Sequence, residues 1–243
     1  MKKFWFYIYL FLILGVICIG VIFMTTSEEN NTTQISNGNF NSLVGNEIIG
    51  QAINMKDYIT QAQAKVSNII TEEIEIPLII RQYPLGRNIL AQATMNNIYN
   101  VRGGGLIVLS TVSLADPERW INIIVHEILH VLGIGTSDRW EDSVITIGGE
   151  KFLDRILFPK SSREYDFLIQ NGLVNGTVGN SIPLSDSVDS FPDGGAHLDE
   201  LVFDKEVMTP IADDINIISS LSIAMLEDLS FEVDYNYNED YLL

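Results

Sequence analysis

The stretch His126-Glu127-Ile128-Leu129-His130-Val131-Leu132-Gly133 decides how this chain is read. On a helix, His126 and His130 are four residues apart and project from one face, one turn apart. Two imidazoles so placed fill two corners of one tetrahedral zinc site. Glu127 follows the first histidine and reaches a water on that metal without ligating it. This is the H-E-x-x-H arrangement, in which the glutamate is the general base.

The flanks predict that the stretch is helical. Asp116-Pro117-Glu118 supplies an N-cap, a proline at the first helical position and an acid in the first turn. Gly133 is a stop that lets the chain turn away. Between them the residues are apolar nearly all round, so the helix should be buried. The exception is a stripe of Asn122, His126 and His130. The chain has 3 histidines in all. The remaining one, His197, is therefore the simplest third ligand to a single catalytic zinc.

Composition narrows the partners. Asp and Glu number 32 against 14 Lys and Arg, a formal net charge of −18. A phosphate backbone calls for a basic surface, so nucleic acid is excluded as a partner. Residues 4–24 form an uncharged, apolar run long enough to cross a bilayer, preceded by Lys2 and Lys3. It predicts a single-pass signal anchor with the C-terminal domain extracellular or lumenal. The alternative is a signal peptide that is cleaved to release a secreted protein. The sole cysteine, Cys18, lies in this run, so the rest has no disulfide and no thiol to cap a metal.

Residues 25–46 are polar and read as a linker, with 39–44 a weak strand candidate. Residues 47–243 read as the catalytic domain, with an N-terminal subdomain over 47–133 and a C-terminal one over 134–243. An apolar stripe of Ile48, Ala52, Met55, Ile59, Ala62, Val66 and Ile70 predicts a helix behind a sheet. Strands are expected over 74–80 and 106–111, and short helices over 152–158 and 165–170. A loop over 182–195 brings in His197, and Ser219-Ser220 opens a helix ending near Asp228. The acidic tail from Glu232 reads as peripheral. Asp186, Asp189 and Asp193 read as solvated loop acids, with calcium binding the rarer option.

Four blocks resemble the leishmanolysin-like branch of the metzincin zinc peptidases, over roughly residues 85–235. They are the zinc helix running on through Gly133-Ile134-Gly135-Thr136 and Trp140; Gly195-Ala196-His197-Leu198-Asp199-Glu200; Glu206-Val207-Met208-Thr209-Pro210; and Leu226-Glu227-Asp228-Leu229. Most metzincins place the third histidine where this chain has Thr136, whereas the leishmanolysin-like branch separates it by a long insertion. The resemblance implies an α+β zincin fold: a twisted mixed sheet with an active-site helix, and a C-terminal subdomain with few regular elements. Here it would stand behind an N-terminal transmembrane helix. It also implies that Met208 forms a floor beneath the zinc. Residues 88–93 would be an edge strand, with Leu90 and Ala91 contacting substrate backbone. Another zincin class takes a glutamate as third ligand, for which Glu141, Glu150 or Glu164 are available. That leaves His197 without a role.

The expected function is a zinc endopeptidase acting on proteins or peptides, with Glu127 as catalytic base. The alternative is a silent, membrane-anchored adhesion or binding module that keeps zinc for structure. No oligomeric state follows from the sequence.

Overall fold

The computed structural model describes residues 32–50, 55–85, 89–95, 104–112, 114, 116–186, 194–239 and 241. The chain divides into two compact units, residues 1–33 and 34–243.

β1 (Thr32–Asn37) and β2 (Phe40–Gly45) flank a two-residue turn, with Gly38 at φ +52°. α1 (Asn46–Ile49) is a single turn, and α2 (Met55–Ile69) follows. The next elements are β3 (Ile76–Tyr83), β4 (Ala91–Met95), β5 (Gly105–Ser110) and α3 (Arg119–Val131). The sheet order is β1-β2-β3-β5-β4. β2, β3 and β5 run parallel, and β4 closes the edge antiparallel to β5. Their inward residues, among them Val44, Leu78, Ile80, Ile107 and Leu109, are almost fully buried.

α2 packs through Met55, Ile59, Ala62 and Val66, the stripe expected from spacing. Its Gln63 donates from Nε2 to Ser42 Oγ on β2. The helix is shorter than the periodicity suggests, because Asn46–Ile49 forms a separate turn. Ala52 lies outside the described residues. The linker expected over 25–46 is corrected too: β1 and β2 occupy 32–45, and the weak candidate at 39–44 is a paired strand. The alternation is broken there, for Ser42 takes a buried inward position and Leu43 an exposed outward one.

α4 (Asp138–Glu141) follows α3, capped by Ser137. A small antiparallel sheet then forms from β6 (Val144–Ile147), β7 (Glu150–Leu153) and β8 (Ile182–Pro183). The helix expected over 152–158 is thus partly a strand. Gly148 and Gly149, at φ +64° and +98°, make the tight turn that commits 150–153 to pairing. α5 (Pro159–Gln170) begins at a proline and packs on α7 (Ser220–Asp228), with α6 (Glu200–Phe203) between them in sequence.

The acidic tail is not peripheral. Thr71 N donates to Glu232 O at 2.9 Å, and Asp234 N donates to Ile69 O at 2.8 Å. Glu239 accepts from Ile218 N at 2.9 Å and pairs with Lys65 Nζ at 2.8 Å. The tail therefore binds the end of α2 to the segment entering α7.

The α+β expectation needs one correction. Among the described residues, no helix is long and apolar enough to cross a membrane. The buried α3 has 13 residues, where about 20 are needed to span a bilayer. Residues 4–24, on which the single-pass anchor and the extracellular or lumenal placement rested, lie outside the described residues. The fold class is accordingly a mixed α/β domain with a sheet, and the membrane anchor is withdrawn.

α3 crosses the sheet closely at Gly105. A Cβ there would overlap the carbonyl oxygen of Thr94 and meet Val131 Cγ2 at 2.9 Å. Gly105→Val should therefore cost about 1–3 kcal/mol of stability by overpacking. Urea unfolding checks this, and an unchanged midpoint would contradict the close approach.

Candidate metal centre and cleft

α3 is buried by Trp120, Ile124, Val125, Ile128, Leu129 and Val131, which leaves Asn122, His126 and His130 along one edge. Its start is tighter than a simple cap. Asp116 Oδ1 accepts from Glu118 N at 3.0 Å, and the first regular helical residue is Arg119. After α3 the chain reverses at Gly133 (φ +111°). Ile134 N then bonds back to Leu129 O at 3.2 Å.

The three histidines converge. The Nε2 atoms of His126 and His130 are 3.0 Å apart, and each lies 3.0–3.1 Å from His197 Nε2. His126 Nδ1 lies 2.6 Å from Val207 O, and His130 Nδ1 lies 2.7 Å from Ile134 O. A carbonyl oxygen can only accept, so both Nδ1 atoms carry the proton. Burial lowers the pKa of all three imidazoles, that of His130 to about 3, which keeps the rings neutral. The Nε2 atoms of His126 and His130 are then bare lone pairs facing each other with no proton between them. Such a contact is repulsive unless a cation sits within the triangle. Zinc–nitrogen bonds of about 2.0–2.1 Å put tetrahedral neighbours roughly 3.3 Å apart, a few tenths of an ångström beyond the separations here. The donor set fits zinc, and among the described residues the cluster consists of the three histidines. Among the described residues the only other cluster of possible ligands is Glu200, Asp204 and Asp213.

His197 reaches the site because its loop is tied down. Trp140, 1% exposed, donates from Nε1 to Gly195 O at 2.9 Å. Gly135 (φ +76°) passes so close that a Cβ would overlap the carbonyl oxygen of Ala196. Leu198 N donates to Met208 O at 3.0 Å, which brings the 206–209 turn under the same loop. Met208 is fully buried in that turn, and Thr209 N closes it onto Glu206 O at 3.1 Å. Glu141, Glu150 and Glu164 stand outside the triangle. Thr136 donates from Oγ1 to His130 O.

A cavity of about 910 Å³ opens over the triangle, bounded by β4 on one side and by residues 207–216 on the other. Glu127 lines it, 5% exposed, and its Oε2 has no hydrogen-bond partner. Burial without a compensating charge pushes its pKa up to about 8.

β4 forms the far wall, but the two residues expected to meet a peptide differ in orientation. Leu90 O accepts from Ser110 N at 2.7 Å, so its carbonyl faces the sheet. In an antiparallel ladder the outward and inward residues alternate. Ala91, opposite Leu109, and Ala93, opposite Ile107, therefore turn their N–H and C=O outward. Ala91 and Ala93 thus present free-edge backbone groups toward the cleft side of β4, whereas Leu90 commits its carbonyl to β5. Sequence could not settle this parity, because the register fixes it and the apolar residues here do not alternate.

Two further features escaped the sequence reading. Carbonyls of Val207 and Ile134 orient the histidines, a backbone role with no side-chain signature. Asn216, far along the chain, lines the cleft. Of the loop acids, Asp186 Oδ1 accepts from Lys151 N at 3.2 Å, whereas Asp189 and Asp193 lie outside the described residues.

No protein-family model matches the chain, and no curated protein matches it.

The buried Glu127 gives a pH signature in the metal-free protein. Burial pushes its carboxyl up to about 8 in the folded state, from 4.5 for the same group in water. Between these values the folded state binds more protons, so that contribution is present below 4.5 and lost as pH rises through 8. Thermal unfolding over this interval should show Tm falling more steeply with pH in wild type than in Glu127→Gln. Equal slopes would contradict the burial of a proton-holding carboxyl.

Proposed function

We propose that the protein is a zinc-dependent endopeptidase resembling the leishmanolysin-like metzincins. The observation that carries this reading is the pairing of three convergent imidazole nitrogens with the buried, unpartnered carboxylate of Glu127, all in one cleft beside an open sheet edge. A structural zinc site has no need of a general base and usually closes its fourth position with a protein ligand.

His126, His130 and His197 would hold the metal, which when bound supplies an acidified water and polarises the substrate carbonyl. The Glu127 carboxyl lines the cleft and would take a proton from the attacking water and pass it to the leaving amine. Burial pushes its pKa up to about 8 in the metal-free protein, so the carboxyl would hold the proton between the two transfers, and a nearby dication would draw that pKa down. The outward N–H and C=O groups of Ala91 and Ala93 can add a peptide as a further strand, which orients the scissile bond across the cleft.

Glu127→Gln removes the proton acceptor and keeps the shape. Hydrolysis of a mixed peptide library by the zinc-loaded variant should fall about 10²–10⁴-fold with metal content unchanged. Wild-type rates in the variant would refute the assignment.

A further inference from the structure

Resting on the reading of the histidine triangle as a zinc site, we propose that Glu206 is a positioning residue of the metal centre: its buried carboxyl, hydrogen-bonded to α7, holds the turn whose Val207 carbonyl orients His126.

Glu206 is 0% exposed and does not line the cleft. Its Oε1 accepts from the hydroxyl of Ser222, a fully buried residue in the first turn of α7. The hydroxyl of Ser219, the N-cap of that helix, faces the same carboxyl. Burial pushes the Glu206 pKa up to about 7, and the Ser219 and Ser222 hydroxyls work against that rise. Burying a carboxyl costs free energy that an apolar side chain of similar size would not. A carboxyl in such a place is explained by what its hydrogen bonds hold.

What they hold is a turn that supports two of the three histidines. Val207 O lies 2.6 Å from His126 Nδ1. Met208 O accepts from Leu198 N, the residue after His197, at 3.0 Å. Among the described residues, the backbone bonds that brace the turn run to loop or single-turn segments. Glu206 N donates to Phe203 O at 3.1 Å, Val207 N to Ile217 O at 2.8 Å and Thr209 N to Glu206 O at 3.1 Å. Those segments can shift together with the turn. The Ser222 bond instead reaches a helix whose Leu221, Ile223 and Leu226 are fully buried. Val207, whose carbonyl meets His126, is the next residue in the chain.

His130 has an independent support, Ile134 O, placed by the chain reversal at Gly133. A hydrogen bond to the far nitrogen of a metal-ligating imidazole fixes the tautomer and the ring orientation. Disturbing Glu206 should therefore act on His126 and spare His130.

The test uses the full chain loaded with zinc and isotope-labelled at histidine, so that nuclear magnetic resonance reads the Nδ1 protons of His126 and His130 separately. In Glu206→Leu the His126 proton should exchange with solvent faster than in wild type while that of His130 does not. The zinc dissociation constant should rise roughly 10- to 100-fold. Glu206→Gln keeps an acceptor for Ser222 and should stay close to wild type in both readouts. Should Glu206→Leu fail to fold, Ser222→Ala removes only the donor and should move the same proton in the same direction. A merely structural residue would lower Tm and leave the zinc constant and both protons unchanged, which would overturn the proposal. So would a Glu206→Gln variant as impaired as Glu206→Leu. With the contrast between the two histidines present but no peptide cleaved, the proposal holds and the peptidase reading falls. A folded wild-type chain that binds no zinc would overturn both.

Discussion

Two hydrogen bonds from imidazole to backbone carbonyl govern the site. Val207 O takes the Nδ1 proton of His126 and Ile134 O takes that of His130, which leaves two bare Nε2 lone pairs 3.0 Å apart. Each bond depends on a distant piece of the fold. Ile134 O is in place because Gly133 adopts a φ that side chains disfavour. Val207 O is in place because the 206–209 turn is clamped to Ile217 on one side and, through Met208 O, to Leu198 on the other. The neutral, deprotonated state that a metal requires is thus imposed by burial and by backbone geometry together.

The cleft lies between two stretches of one compact unit that contribute different things to it. The N-terminal sheet and α3 supply a rigid base, two ligands, the carboxylate and an open strand edge. The C-terminal segment has few long elements, yet it holds His197 and the opposite wall in place. Single anchors achieve this: Trp140 on Gly195 O, the turn beneath Met208, and the tail that ties α2 to the entrance of α7. Loss of one such anchor would shift the third ligand without touching the first two.

The helix α3 was legible because its signals are local: a helix start, a stop glycine, and two histidines with a glutamate at helical spacing. His197 was legible only by scarcity and by resemblance, since a separation of 67 residues from His130 carries no periodicity. The strand at 40–45 was obscured by its broken alternation, and β7 by aromatic and aliphatic residues that suit a helix equally well. Which face Leu90, Ala91 and Ala93 present depends on pairing with β5, a tertiary fact. Asn216 gave no signal because a lone asparagine is ordinarily a turn residue.

The central claim is that the triangle of Nε2 atoms is a metal site, and the direct measurement is the metal content of the purified full chain beside His197→Ala. The account predicts about one zinc per wild-type chain after desalting, and a clear loss in the variant, because two imidazoles alone form an incomplete site. A folded wild-type chain that retains no metal from a zinc-containing buffer, or a variant that holds it as tightly as wild type, would contradict the account.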